Sequence, residues 1–344
     1  MPVKRETQKY VKEELPYRLL SSIYLNSRAS LRELGRELNI SYHTVRSVLR
    51  ELEEKYGIHY TLEIDEQKLG FTEGRVITIK FGTKPEMDLL KKLLQDDIFI
   101  QDAYLSDGDF DLLLYVVGLA KEEFLVWQWN LRVKFSEYKP IFKFASFNYK
   151  VVGFFPLRSE LIKESQVLTN KEKEVLILLN NDSRLKLSEM AQKAKIDVNK
   201  VLYLIKKFTA LGIIKRFTAL TQNPDKRIYV GFGISMIPSK QHDKLLISLY
   251  EKLINEDKNE VINNWAIISD TNGQWDGFDV CAFQNGEALA RFGPELFRKE
   301  WENEHPQIER AILTDIIIGK WPFHLENYSS LRAIIKRNKE NLLQ

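Results

Sequence analysis

The chain has 344 residues, 44% of them hydrophobic and 29% charged, with a net charge of only +3. That is enough length for several domains with cores of their own. The longest apolar run, LLLYVVGLA from Leu112, falls well short of the roughly 18 residues of a membrane helix, and MPVKRETQKYVKEEL carries charges where a signal peptide needs its apolar region. A single cysteine, Cys281, excludes an internal disulfide framework and fits a reducing compartment, so a cytoplasmic protein with no membrane partner is expected.

Residues 1–15 read as a charged lead-in, and Pro16 suits the first turn of a helix running to about Leu25. Arg28 to Ile58 then reads as two short helices joined by a tight turn. Leu31, Leu34 and Leu38 give the first an apolar stripe, Asn39-Ile40 makes the turn, and Ser41 is placed to cap the second. Val45, Val48, Leu49 and Leu52 face inward there, which leaves His43, Arg46, Ser47 and Arg50 on the opposite face. Hydroxyl, imidazole and guanidinium groups on a packed helix suit the major groove of DNA, so this is a helix-turn-helix. HYTLEIDEQKLGF alternates like a short strand pair, the wing of a winged helix.

From Arg75 the period changes. VITIKFG reads as a strand, PEMDLLKKLLQD as a helix, FIQDAYLSDGDFDLLLYVV as a hairpin turning at Asp107-Gly108, KEEFLVWQWNLRVKF as a helix and PIFKFASFNYKVVGFF as a long strand. This βαββαβ order predicts a ferredoxin-like sandwich.

The pattern then repeats. Asp182 to Ile214 copies the helix-turn-helix at an offset of 156: Arg28 maps to Arg184, and the inward set becomes Val201, Leu204, Ile205 and Phe208. Thr169 and Glu172 have capping-box spacing ahead of it, and Asp197 stands where Ser41 stood. A second βαββαβ follows: RIYVGFGISMI, KQHDKLLISLYEKLIN, a hairpin turning near Asn272-Gly273, GEALARFGPELFRKEWEN and ERAILTDIIIGKWPF. The predicted fold class is therefore α+β, a tandem repeat of a winged helix-turn-helix followed by a ferredoxin-like αβ domain. The expected partition is 1–74, 75–156, 157–226 (linker and second winged helix), 227–328, and a tail at 329–344. Charge is uneven along it: residues 166–226 hold 12 basic and 6 acidic side chains, the footprint of phosphate binding.

The run ISYHTVRSVLRELEEKYGI with its wing and αβ domain, and GIIKRFTAL in the second copy, resemble the Lrp/AsnC (feast/famine) family of transcription regulators. The turns DGDFD and NGQWD are similar to that family's glycine-acid turn. The resemblance implies double-stranded DNA as partner, pairing through the αβ domains as a homodimer or an intramolecular pseudo-dimer, and an amino-acid-like small-molecule effector near Gly108, Asp109, Asp111, Gly273 and Asp276. Tight hairpins need such residues for positive φ whatever binds nearby. The expected DNA-binding residues are Ser41, Tyr42, His43, Thr44, Arg46, Ser47 and Arg50 in the first copy. In the second they are Asn199, Lys200, Tyr203, Lys206, Lys207, Lys215 and Arg216. Leu202 replaces Arg46, so the first copy is expected to read bases and the second to hold phosphates.

No catalytic residue, metal site or cofactor is expected. The five histidines are scattered, Cys281 sits in a buried-strand pattern, and no phosphate-cradling glycine loop is present. Two alternatives stay open. Sirohaem decarboxylases resemble the same tandem layout, with His324 and Arg227 the suggestive residues here, and an architectural DNA-binding protein without effector would share every feature but selectivity.

Overall fold

A computed structural model describes residues 15–16, 18–72, 74–152, 156–221, 227–235, 261–269, 275, 277–283, 285–290, 307–319 and 321–322, with the backbone alone at 147–152, 221, 261–269 and 321–322. In chain order these form α1 (18–25), α2 (Leu31–Leu38), α3 (Tyr42–Tyr56), β1 (Ile58–Ile64), β2 (Arg75–Lys80), α4 (Met87–Leu94), β3 (Ile100–Gly108) and β4 (Leu112–Val116). Next come α5 (Lys121–Lys134), β5 (Ile141–Val152), α6 (Ser159–Glu164), α7 (Asn170–Asn181), α8 (Leu187–Ala194), α9 (Val198–Ala210) and β6 (Ile214–Thr221). The last are β7 (Ile228–Ser235), β8 (Val261–Ser269), β9 (Gly277–Phe283), β10 (Gln307–Ile318) and β11 (Trp321–Pro322). The helix expected over KQHDKLLISLYEKLIN, the turn at Asn272-Gly273 and the tail from Ser329 lie outside the described residues.

The elements gather by type and not by repeat. One unit holds the described residues of Met1–Asp65, Thr169–Asp225 and Trp321–Ile334, so both helix-turn-helix copies belong to it. The other holds those of Glu66–Leu168 and Lys226–Lys320, which brings both αβ domains together.

In the first unit, local signals place every helix end. Ser30 and Glu33 form a reciprocal capping box on α2, which stops at Asn39 in the left-handed region. Ser41 caps α3 by accepting from the Thr44 N–H, and Gly57 (φ 58°) ends it. Thr169 and Glu172 box α7, while Asp197 accepts from the Asn199 N–H to cap α9. Val45, Leu49 and Leu52 are buried, as are Leu34 and Leu38 of α2 and Leu19 and Ile23 of α1; Val48 is only half-buried. In the second copy all four inward residues of α9 are buried with Val175, Leu176 and Leu179 of α7. Each copy is thus a three-helix unit whose last helix is fixed from behind by its apolar face.

The expected wing of the first copy is not a hairpin. Gln67–Leu69 is a 3₁₀ turn, and β1 instead pairs antiparallel with β6 of the other copy, from Ile58↔Thr221 to Ile64↔Ile214. This joins the copies about a pseudo-two-fold axis, and the contacts show it. Ser27 and Ser183, equivalent residues 156 apart, touch through their hydroxyls at 2.6 Å, which only residues beside such an axis can do. Thr61 faces Thr218 in the ladder; Thr61 donates to the Asn180 carbonyl (2.7 Å) and Thr218 to the Tyr24 carbonyl (2.8 Å). The Arg28 guanidinium lies over Phe217, and that of Arg184 over Tyr60. The expected closing strand is also broken: β10 ends before Gly319 (φ 99°), and β11 pairs with β6 at Trp321↔Thr221.

In the second unit the first αβ domain orders its strands β3-β4-β2-β5 and the second β8-β9-β7-β10, each the arrangement that βαββαβ connectivity predicts. The free edges pair with each other, β5 with β8 and β10 with β3, closing an eight-stranded barrel. Closure leaves none of these strands an open edge. Ile77, Ile79, Leu112, Leu114 and Val116 face the helix-side core with Phe124, Trp127 and Leu131 of α5. By alternation the other strand face is the inner one. There Gly231 and Gly233, lacking Cβ atoms, make room for Phe110, Phe278 and Trp275. The turn after β3 falls at Asp109 to Asp111, beyond the expected Asp107-Gly108.

Candidate nucleic-acid interface

Because Val45, Leu49 and Leu52 are buried, the remaining face of α3 is outward. Tyr42, His43, Arg46, Ser47 and Arg50 are all exposed. Ser41 and Thr44 are exposed too, but their hydroxyls are engaged with each other (2.9 Å), and that of Ser41 also accepts from the Thr44 N–H (3.1 Å). Arg46 makes no hydrogen bond or ion pair among the described residues. Arg50 stands 3.9 Å from Glu54 with both side chains about three-quarters exposed, a pairing worth little in water. Ser47 donates to Glu51 at 3.4 Å, so the available donors of this face are those of His43, Arg46 and Arg50.

The second copy differs. Asn199, Lys200, Tyr203 and Lys206 are outward on α9, with Leu202 exposed among them and the Lys200 ammonium over its own Tyr203 ring. Lys207 bonds Glu172 at 2.5 Å. Burial pushes the Glu172 carboxyl up, but Lys207 and the Thr169 N–H and hydroxyl outweigh it and hold the group down at about 2. Lys215 is paired with Asp65 at 3.4 Å. Arg216 corrects the expectation of a phosphate contact: it is buried, 2.6 Å from Glu63 and stacked over Tyr24, so its charge is spent holding β6 to the first copy. Burial alone would lower its pKa, yet Tyr24 and Glu63 raise it. Sequence spacing could not reveal this, because Glu63 comes from the other repeat.

Between the copies, within this unit, a cleft of about 600 Å³ opens beside α3, lined by His43, Arg46, Ser47, Arg50, Glu53, Tyr60, Asp182 and Arg184, with Leu31 and Leu49. The Tyr60 hydroxyl donates to Glu53 at 2.5 Å, and Arg184 donates to that hydroxyl at 3.3 Å. Burial, then the bond to Glu53, raises the phenol well above its ordinary pKa. Tyr60, Asp182 and Arg184 were not among the expected site residues; the Arg28–Arg184 match across the repeat was their one visible signal.

In the αβ unit, the turn expected near an effector is occupied by structural contacts. A Cβ on Gly108 (φ 145°) would lie 2.5 Å from the Arg310 carbonyl. The Asp109 N–H donates to that carbonyl, and the Arg310 N–H donates to the Asp109 carboxylate. Asp111 is buried, accepting from the Phe81 N–H (2.9 Å) and Lys80 (3.0 Å). Gly273 and Asp276 lie outside the described residues, as does His324; Arg227 precedes β7. Cys281 is buried, and burial with Asp279 beside it pushes the thiol up, away from reactivity. Among the described residues no group of three His, Cys, Asp or Glu side chains could hold a metal ion, and no helix is long and apolar enough to cross a membrane.

No protein-family profile matches the chain. Among curated proteins it is 24% identical over 112 residues to an uncharacterized HTH-type transcriptional regulator of Pyrococcus furiosus, a match spanning 32% of this chain and 75% of the relative. It is 29% identical over 108 residues to the HTH-type transcriptional regulator Ptr1 of Methanocaldococcus jannaschii (30% of this chain, 71% of the relative). It is 38% identical over 60 residues to the HTH-type transcriptional regulator LrpC of Bacillus subtilis (17% and 41%). Among solved structures, the siroheme decarboxylase NirDL superposes over 94% of this chain and 99% of its own, with a TM-score of 0.58 and 12% identity. That likeness shows a shared double-unit fold alone. The chain is thus similar in sequence to helix-turn-helix transcription regulators, each of them matched by about a third of its length or less, and it carries two copies of one such helix-turn-helix unit.

Proposed function

We propose that the chain is a sequence-selective, double-stranded-DNA-binding transcription regulator whose two helix-turn-helix copies act as a built-in pseudo-dimer. The observation that carries this is the outward face of α3. His43, Arg46, Ser47 and Arg50 stand exposed on a helix capped at its start and buried behind, in a chain whose sequence relatives are named regulators. Motifs related by a two-fold axis address half-sites one DNA turn apart, about 34–36 Å, and the separation of α3 and α9 on the DNA would follow that spacing. The half-sites would be unequal. Arg46 and Ser47 supply base-edge chemistry in one, and Lys200 and Lys206 supply phosphate contacts in the other.

The αβ barrel is the pairing body. An effector near Gly108, Asp109 and Asp111 would have to compete with the Asp109–Arg310 backbone pairing, so its binding would register as a change between β3 and β10.

The test is a salt titration of binding to genomic DNA fragments, using protein whose visible spectrum has been recorded. A steep loss of affinity with salt and retention of a subset of fragments is expected. Equal retention of all fragments would make the protein architectural. Absence of DNA binding together with a tetrapyrrole absorption band would instead favour an enzyme like the one whose fold it shares.

A further inference from the structure

The two copies can be compared position by position, and several of their differences fall in the cleft beside α3. Across the pseudo-two-fold axis Glu53 becomes Thr209, Tyr60 becomes Phe217, Asp182 becomes Asn26 and Arg46 becomes Leu202. The arginine at the back of the cleft is present in both copies, as Arg184 and Arg28, but it is held differently. Arg28 stacks on Phe217 and donates to the Ser183 carbonyl at 2.6 Å. Arg184 stacks on Tyr60 (4.9 Å) and donates to the Ala29 carbonyl at 3.4 Å, and differs in also donating to the Tyr60 hydroxyl, which Glu53 orients in turn. The chain Glu53–Tyr60–Arg184 fixes a guanidinium from the second copy at the wall of a cleft whose other wall is the first copy's reading helix.

Three guanidinium groups, from Arg46, Arg50 and Arg184, with the His43 imidazole, face two carboxylates there, one of which is already engaged by a phenol. The balance favours an anion; the planar donor fork of arginine pairs bidentately with carboxylate or phosphate, and several guanidinium groups together suit the greater charge and additional oxygens of a phosphate. We propose that this cleft is a phosphate-binding site assembled from both copies, with Arg50 and Arg184 as its principal donors, taking either a DNA backbone phosphate or the phosphoryl group of a free small molecule. Arg46 at its rim stays directed to the groove. If the occupant is free phosphate, the site blocks the reading face and so regulates it. If it is the DNA backbone, the second copy anchors the first copy's reading helix. The DNA arm of this inference rests on the function proposed above; the cleft does not.

The full chain, labelled at its histidine rings, is titrated with inorganic phosphate by NMR, against sodium chloride of matched ionic strength. Of the five histidines in the chain, His43 is the one among the residues lining the cleft, so its response reports on the cleft. A saturable His43 shift with phosphate and none with chloride is expected. Arg184→Gln and the exposed Arg50→Gln should each weaken phosphate by about tenfold, as loss of a charge-assisted bond implies. Tyr60→Phe, which copies the second half, should weaken it less. Displacement of phosphate by a DNA duplex would identify the backbone as occupant, and simultaneous binding would identify a free phosphoryl compound. Absence of a saturable response, or an unchanged one in both arginine variants, overturns the site even if DNA binds normally. A saturable response in protein that binds no DNA would support the cleft and sink the regulator.

Discussion

Arg46→Leu gives the first reading helix the residue that the second already carries at the equivalent position, Leu202. Arg46 is exposed and makes no polar contact among the described residues, so the substitution should leave folding within about 0.5 kcal/mol of the parent. A bidentate arginine contact to a base edge supplies about 1–3 kcal/mol of discrimination, which is roughly a 5- to 150-fold change in affinity. The loss should appear in binding to a selected operator fragment and hardly at all in binding to random duplex. The slope of log affinity against log salt should stay unchanged, because a base contact releases no counterion. Lys206→Gln is the contrasting case: it should weaken operator and random duplex alike and reduce the slope by about 0.9. Fluorescence anisotropy on both duplexes at several salt concentrations reads all of these quantities. If Arg46→Leu lowered both affinities equally and flattened the salt slope, Arg46 would be a phosphate contact, and the division into a reading copy and a holding copy would be wrong.

Other outcomes follow from the packing. Glu63→Ala should strand the buried Arg216 guanidinium and cost about 3–5 kcal/mol, measured as a fall in thermal midpoint, whereas Glu54→Ala at the exposed Arg50 pair should cost under about 1 kcal/mol. Glu172, held at about 2, contributes stability that is fully present above its unfolded value near 4.5 and is lost as pH falls from there toward 2. The loss should be about 3 kcal/mol in acid titration of the helical signal and absent in Glu172→Gln. Burial raises Asp279 to about 7, so its sign is opposite: the unfolded chain releases the proton near pH 4 and the folded chain keeps it to about 7. Stability should therefore decline between those values by up to about 4 kcal/mol in denaturant titrations. Asp279→Leu, which restores the residue that Leu114 provides on β4, should remove the decline.

Most of the local structure is legible in the sequence because its causes are local. Ser41, Thr169 with Glu172, and Asp197 mark helix starts by satisfying N–H groups one turn away, and Gly57 ends α3 because it enters the left-handed region at no steric cost. Apolar spacing identified the buried faces of α3 and α9, and hence by subtraction the outward donors. Val48 is only half-buried because its position lies at the margin of that face. What failed was non-local. HYTLEIDEQKLGF alternates as a strand should, but alternation does not specify a partner, and β1 found β6 more than 150 residues away instead of its own neighbour.

Reach along the chain divides the two kinds of feature. The sequence determined the two repeats, their helix-turn-helix and βαββαβ order, and the donors on the reading helix. These depend on periodicity and capping within a few turns of chain. The tertiary structure decided that the repeats mix, helix-turn-helix with helix-turn-helix and sheet edge with sheet edge. It buried Arg216 against Glu63, tied Asp109 to Arg310, and set Arg184 beside the other copy's reading helix. A charge at a given position looks the same in the sequence whether it meets solvent, a nucleic acid or a carboxylate from the other half. Only the pairing of strand edges and the pseudo-two-fold axis bring those partners within bonding distance.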